Sequence, residues 1–235
     1  MPAYIVTVLI AYLVFHLRPV EPNPGHSWAG LWRHLTLTQI YSGDYVVAYM
    51  HQGLTQMWSL AVEVAFYAVL PLLAYLLLTV LSRRRWRPAV VLAGLAALAT
   101  VSPIWLVLMH TTDWLPRGAG LWLPHYLVWF VGGMVLALLT TTGVTCPAFL
   151  ALNSPGRPGW YEQLMGSRPM VWLGEISYEI FLLHVIVMGL LMTLVLRWPL
   201  YTGSVAVLFT LTVAVTIPTA WLLHRLTRPG NRRPG

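Results

Sequence analysis

Polar residues are rare along this chain, and where they fall they cut it into long apolar runs. The first run, Ala3 to Phe15, stops at His16 and Arg18 after 13 residues. Five more come after it: Trp58 to Leu81, Ala89 to Met109, Leu121 to Leu139, Val171 to Leu196 and Gly203 to Leu223. These reach the ~20 residues that an α-helix needs to cross ~30 Å of hydrocarbon, whereas the first falls short. They are too long and too continuous for transmembrane strands, which alternate over ~10 residues. The expected fold is therefore all-α, a polytopic transmembrane helix bundle of about six helices forming a single membrane-embedded domain over residues 1–235.

Composition agrees and narrows the choice. With 58% hydrophobic and 9% charged residues and a mean hydropathy of +0.70, the chain is too apolar for a soluble domain. The formal charge of +7 comes with arginine as the sole Lys/Arg type, set in short runs between apolar segments. That is the pattern of a topology signal and speaks against a nucleic-acid partner. Arg83, Arg84, Arg85, Arg87, Arg157, Arg168, Arg225, Arg228, Arg232 and Arg233 fall on one side, and Arg18, Arg33, Arg117 and Arg197 on the other. Basic loops stay inside, so both termini are expected in the cytoplasm of a plasma-membrane protein, with Trp58 at the outer surface. The lone Cys146 reads as a loop thiol, and Met1-Pro2-Ala3-Tyr4 offers no basic region that would start a signal peptide.

The loops carry few chemical cues. Arg18 to Met57 holds His26, His34 and His51, with His16 just before it. Their spacing matches no compact metal motif, so they read as scattered surface or interfacial histidines and no metal is expected. Thr140 to Pro169 is rich in Gly and Pro and reads as irregular. Trp114, in the short loop Asp113–Arg117, fits an interfacial anchor. No inverted repeat is visible, which makes a transporter the weaker reading.

Two apolar runs contain polar stripes. Glu63 lies about 7 Å inside its span at ~1.5 Å per residue, and Ser59, Glu63 and Tyr67 recur at i, i+4 and i+8. A carboxylate at that depth is a functional candidate, although polar groups also serve helix packing. Pro71 is expected to bend the same helix. On the fifth run Gly174, Ser177, Phe181 and His184 share a face with Tyr178 beside them. His184 can be a base or a packing residue, and Glu175 and Glu179 suit the helix N-terminus. Spacing alone goes no further than a polyhelical membrane protein with polar groups on two helices.

Trp58 through Tyr67, in Trp58-Ser59-Leu60-Ala61-Val62-Glu63, resembles the W-S-L-x-V-E-x-x-F-Y motif of the membrane-bound acyltransferase family 3. Trp172 through His184 is similar to that family's L-G-x-I-S-Y-x-x-Y-L-x-H motif, and His224 to Pro229 to its closing E-x-P helix. The Leu123 to Leu138 stretch, with Gly132, Gly133 and Ala137, sits where the family has a glycine-containing helix. The departures are Val64 where a second acidic residue is common, Thr227 in the place of a glutamate, and Phe181 for another aromatic. The family has about ten helices, with a base histidine on the first and an R-x-x-R motif just before a P-A-Y-like sequence. Pro2-Ala3-Tyr4 matches that sequence, which implies that roughly two helices and both sites are lacking.

The resemblance implies an O-acyltransferase that moves an acyl group from acyl-CoA, acetyl-CoA foremost, to a hydroxyl of a glycan or hydroxylated natural product. It implies supporting or catalytic roles for Glu63 and His184, with Trp58, Ser59, Tyr67, Ser177 and Tyr178 on the substrate. A positioned base is what such chemistry requires, because a neutral alcohol is a weak nucleophile until its proton is taken. The partners implied are the lipid bilayer and a glycan or small-molecule acceptor. The alternative is a catalytically inactive membrane protein that binds or scaffolds a lipid-linked sugar.

Overall fold

A computed structural model describes residues 2–19, 23–41, 50–83, 85–142, 160–198 and 203–228. Cys146, Arg84, Arg157, Arg232, Arg233 and Pro229 lie outside the described residues, as does most of the Thr140–Pro169 connection. The fold is all-α, with no strand among the described residues. Nine α-helices are described: α1 (Pro2–Leu17), α2 (Trp28–Leu35), α3 (Met57–Ala74), α4 (Pro88–Ala99), α5 (Val101–Thr111), α6 (Leu123–Thr141), α7 (Trp160–Met165), α8 (Arg168–Leu190) and α9 (Val205–Thr227).

Among the described residues, five helical segments are long and apolar enough to cross a bilayer: Met57–Leu81, Pro88–Thr111, Arg117–Thr141, Arg168–Val195 and Val205–Thr227. They coincide with the five long runs to within a few residues, and α1 is the expected shorter helix. This is an integral membrane protein. Its spans bury few of their residues inside the protein, and large side chains such as Leu72, Val107, Trp129 and Phe209 stand exposed, an arrangement only lipid makes favourable.

Two of these spans end in wide turns. After Pro71, whose missing N–H takes the usual donor from the Tyr67 carbonyl, the helix passes into π geometry over Tyr75–Leu81. There Ser82 N–H reaches back five residues to the Leu77 carbonyl, and Ser82 Oγ–H donates to the same oxygen at 2.8 Å. A second π segment, Leu191–Val195, continues α8.

The chain divides into two compact units. One contains residues 1–36, 47–57 and 164–235. In it α1 turns Ala3, Tyr4, Thr7, Val8, Ala11 and Phe15 inward, the spacing of one helix face, and packs on α8 and α9. From α8 come Ile176, Leu182, Leu183, Ile186 and Val187, all buried. The other unit contains residues 37–46 and 58–163. Its core joins Phe66, Leu73 and Leu77 to Val91 and Leu95 of α4 and to Leu127, Val131 and Leu138 of α6. Ser102 of α5 ties into α6 as well, taking the Val128 N–H at 3.0 Å and donating to the Pro124 carbonyl at 2.8 Å.

Short helices form in both long connections, one of them inside the stretch expected to be irregular. The short helix α7 lies within Thr140–Pro169. In the other long connection α2 forms because Ser27 caps it, its Oγ accepting the Gly30 N–H at 3.0 Å. The signal for α2 was this serine followed by Gly30 and His34 at i and i+4, the two positions the helix buries.

Candidate functional site

The polar stripe of the first motif forms as its spacing predicts. Tyr67 Oη donates to Glu63 Oε1 at 2.7 Å across one helical turn, and Tyr67 is exposed. Glu63, Trp58 and Ser59 are half-buried. Trp58 stacks at a tilt on Tyr126 of α6, with ring centroids 5.1 Å apart. Phe66, on the inner face, stacks on Phe130 at 4.1 Å. The helix is thus held through its aromatic side while the carboxylate and phenol stay accessible together.

The second motif lies in the other unit. His184 is half-buried, and its Nδ1–H donates to the Phe181 carbonyl at 2.8 Å. A carbonyl can only accept, so in the neutral ring Nε2 keeps its lone pair. That is the tautomer a base requires. Ser177 Oγ–H turns back to the Gly174 carbonyl at 2.8 Å and is exposed; Tyr178 is half-buried. A Cβ added at Gly174 would meet nothing within 4 Å, and the same holds at Gly132 and Gly133.

Glu179 does not serve the helix N-terminus. It is the twelfth residue of α8, is buried, and its Oε1 accepts from Nδ1 of His224 on α9 at 2.9 Å. The first turn of α8 holds no acidic residue; the backbone entering it is set by Pro169 instead.

The histidines of the first connection are not scattered over the surface. His34 and His51 are both fully buried, and three imidazoles, those of His26, His34 and His51, gather around Tyr12. Tyr12 stacks on His26 at 5.2 Å and lies over His51 at 4.6 Å; His16 stacks on His26 at 6.0 Å. Tyr12 Oη–H donates to the Gly25 carbonyl at 2.7 Å, and Tyr4 Oη–H donates to the His34 carbonyl. Close packing depends on Gly30, where a Cβ would fall 2.0 Å from the Gly25 oxygen. The signal missed was the aromatic spacing of α1, which sets Tyr12 and Phe15 beside one loop.

Hydrogen bonds fix the protons in this cluster. Gly53 N–H donates to His51 Nδ1 at 3.2 Å, so the ring carries its proton on Nε2. Asn23 Nδ2 and His26 Nδ1 both stand 3.3 Å from that Nε2, and only the imidazole nitrogen can accept. Asn23 is oriented by its Oδ1, which takes the Gln52 N–H at 3.0 Å. His26 is consequently left with its proton on Nε2. Burial, reinforced by His34 and His26, pushes the His51 pKa down to about 3. His34 is lowered by burial, and His26 by burial and by His16. His34 Nδ1–H donates to the Gly30 carbonyl at 2.8 Å, and its Nε2 is buried without a partner. No group of three or more His, Cys, Asp or Glu among the described residues is placed to hold a metal ion.

A cavity of about 390 Å³ opens beside the cluster, lined by Tyr12, His16, His26, Ser27 and Trp28, with Leu13 and Leu31 as its apolar wall.

No family model matches the chain, and no solved structure matches it. Among curated proteins it is 32% identical over 152 residues to the acyltransferase MdmB of Streptomyces mycarofaciens, a match that takes in 61% of this chain. The chain spans about two fifths of that relative's length, 38%. What it is similar to, then, is an acyltransferase.

Proposed function

We propose that the chain works as a membrane O-acyltransferase, taking an acyl group from acyl-CoA, acetyl-CoA foremost, to a hydroxyl of a glycan or hydroxylated natural product. The observation that carries this reading is the identity to an acyltransferase over three fifths of the chain. Two groups support it, each by its own local geometry. In one unit the Glu63 carboxylate, oriented by Tyr67, can accept a hydrogen bond from a hydroxyl. In the other the His184 ring carries an Nε2 lone pair that can take a proton.

In that reaction the acceptor oxygen bonds to the thioester carbonyl carbon as the base takes its proton. The carbon–sulfur bond then breaks, and the proton leaves with the coenzyme A thiol. Trp58, Ser59, Ser177 and Tyr178 are the further residues proposed to meet substrate, in the plasma membrane with both termini in the cytoplasm.

The test uses protein reconstituted in nanodiscs with radiolabelled acetyl-CoA and a panel of glycosides and hydroxylated natural products. It is run on the 235-residue chain and on a form extended by in-frame upstream residues. Labelled ester together with free coenzyme A is expected. Absence of both from both forms overturns the reading, and sugar binding without turnover would favour an inactive scaffold.

A further inference from the structure

The cavity between α1 and α2 presents hydrogen-bond donors and an aromatic face. Among its described lining residues are no arginine and no carboxylate. His51 lies outside the lining, and the Nδ1 edge of His26 is turned toward it, so the edge left for the cavity is Nε2–H. That proton cannot migrate without cost, because Gly53 N–H pins the His51 tautomer and His51 in turn pins His26. Ser27 Oγ accepts from the Gly30 amide, which leaves its O–H free to donate. Trp28, 80% exposed, supplies a flat ring at the rim. Fixed donors facing an aromatic plane suit a ligand rich in uncharged oxygen acceptors with an apolar C–H face, and the volume lies in the range of small-molecule pockets.

We propose that this cavity binds a neutral sugar ring, stacked on Trp28, with its oxygens accepting hydrogen bonds from His26 Nε2–H and Ser27 Oγ–H. This rests on the reading above in that the sugar would belong to the acceptor. His51 acts as a positioning residue, since it touches no ligand and only holds the His26 tautomer.

The experiment is saturation-transfer-difference NMR on the full chain in nanodiscs, with methyl α-glucopyranoside and methyl α-rhamnopyranoside as probes and glucose 6-phosphate as the charged competitor. Saturation of the ring protons is expected with at least one methyl glycoside. It should weaken tenfold or more in Trp28→Ala and in His26→Leu, and persist in Trp32→Ala. Trp32 is also exposed, one turn along α2, but does not line the cavity. No saturation with either glycoside overturns the proposal. So does a signal unchanged in Trp28→Ala, an equal loss in Trp32→Ala, which would mark both rings as bilayer anchors, or displacement by glucose 6-phosphate at equal concentration. Acyl transfer is measured on the same preparations. Glycoside binding with no transfer by either this chain or the upstream-extended form sustains this site and removes the acyltransferase reading; full transfer by Trp28→Ala with unchanged KM for the acceptor removes this site and leaves that reading.

Discussion

Glu179 Oε1 accepts a hydrogen bond from His224 Nδ1 at 2.9 Å, joining α8 to α9 through a buried carboxylate. The second oxygen, Oε2, is buried without a hydrogen-bond partner. His224→Ala would strand the whole group, at a cost of about 2 kcal/mol. Replacing both by leucine should recover most of the loss, because two apolar groups leave nothing unsatisfied. Thermal unfolding in nanodiscs reads the difference, and an unchanged melting temperature in His224→Ala would show the pair to be without weight.

Glu63→Gln keeps the size and the bond from Tyr67 but removes the negative charge. If Glu63 assists the acceptor hydroxyl, acyl transfer falls about 10²-fold while folded protein is recovered at the wild-type level. His184→Asn should do the same by removing the Nε2 base. Tyr67→Phe, which only frees the carboxylate, should cost less than tenfold. Parallel loss of folded protein and activity in Glu63→Gln would return this residue to a packing role.

Acid should loosen the unit built around His51. The ordinary histidine value is 6.5, and burial takes His51 down to about 3 in the folded chain. Above pH 6.5 the ring is neutral whether folded or not, so stability there is independent of it. As pH falls from 6.5 toward about 3, the unfolded chain binds a proton that the folded chain refuses, and stability drops across that window. His34 and His26, lowered in the same direction, steepen the fall. His51→Asn retains an acceptor for the Gly53 amide and should flatten the dependence of melting temperature between about pH 7.5 and pH 5. A slope as steep as that of the wild type would assign the effect to other groups.

Gly30 and Gly132 predict opposite outcomes for one substitution. A methyl at Gly30 would press on the Gly25 carbonyl at 2.0 Å and on Tyr12 Oη at 2.8 Å, so Gly30→Ala costs about 1–3 kcal/mol. At Gly132 nothing stands within 4 Å, and Gly132→Ala should be neutral or stabilising by up to about 1 kcal/mol through helix propensity. Equal melting temperatures for the two variants would contradict the packing of α2 on the loop at Gly25.

Much of the fold was legible because the membrane imposes it. Runs such as Val171 to Leu196 have no competing reading, so the spans appear within a few residues of where apolar length places them. The Glu63–Tyr67 bond was legible for a similar reason: i, i+4 geometry is local. What was hidden depends on distance along the chain. Glu179 and His224 are 45 residues apart, and His26 and His51 are 25 apart. Nothing in their spacing says that a tyrosine on α1 gathers the histidines around it. A histidine buried by aromatic neighbours carries the same letter as one facing water, so the loop read as polar surface where the structure buries two of its rings.

The wide turns at Tyr75–Leu81 and Leu191–Val195 bear on how the length of this chain can vary. A π turn holds one residue more than the α-helix it replaces. Removing a single residue inside Leu191–Val195 would close it to ordinary α geometry and rotate only the residues C-terminal to it. Glu179 and His184 upstream would keep their register, as Glu63 and Tyr67 would after a deletion inside Tyr75–Leu81. These two segments are the places where either span can shorten by one position without moving a polar group that precedes it.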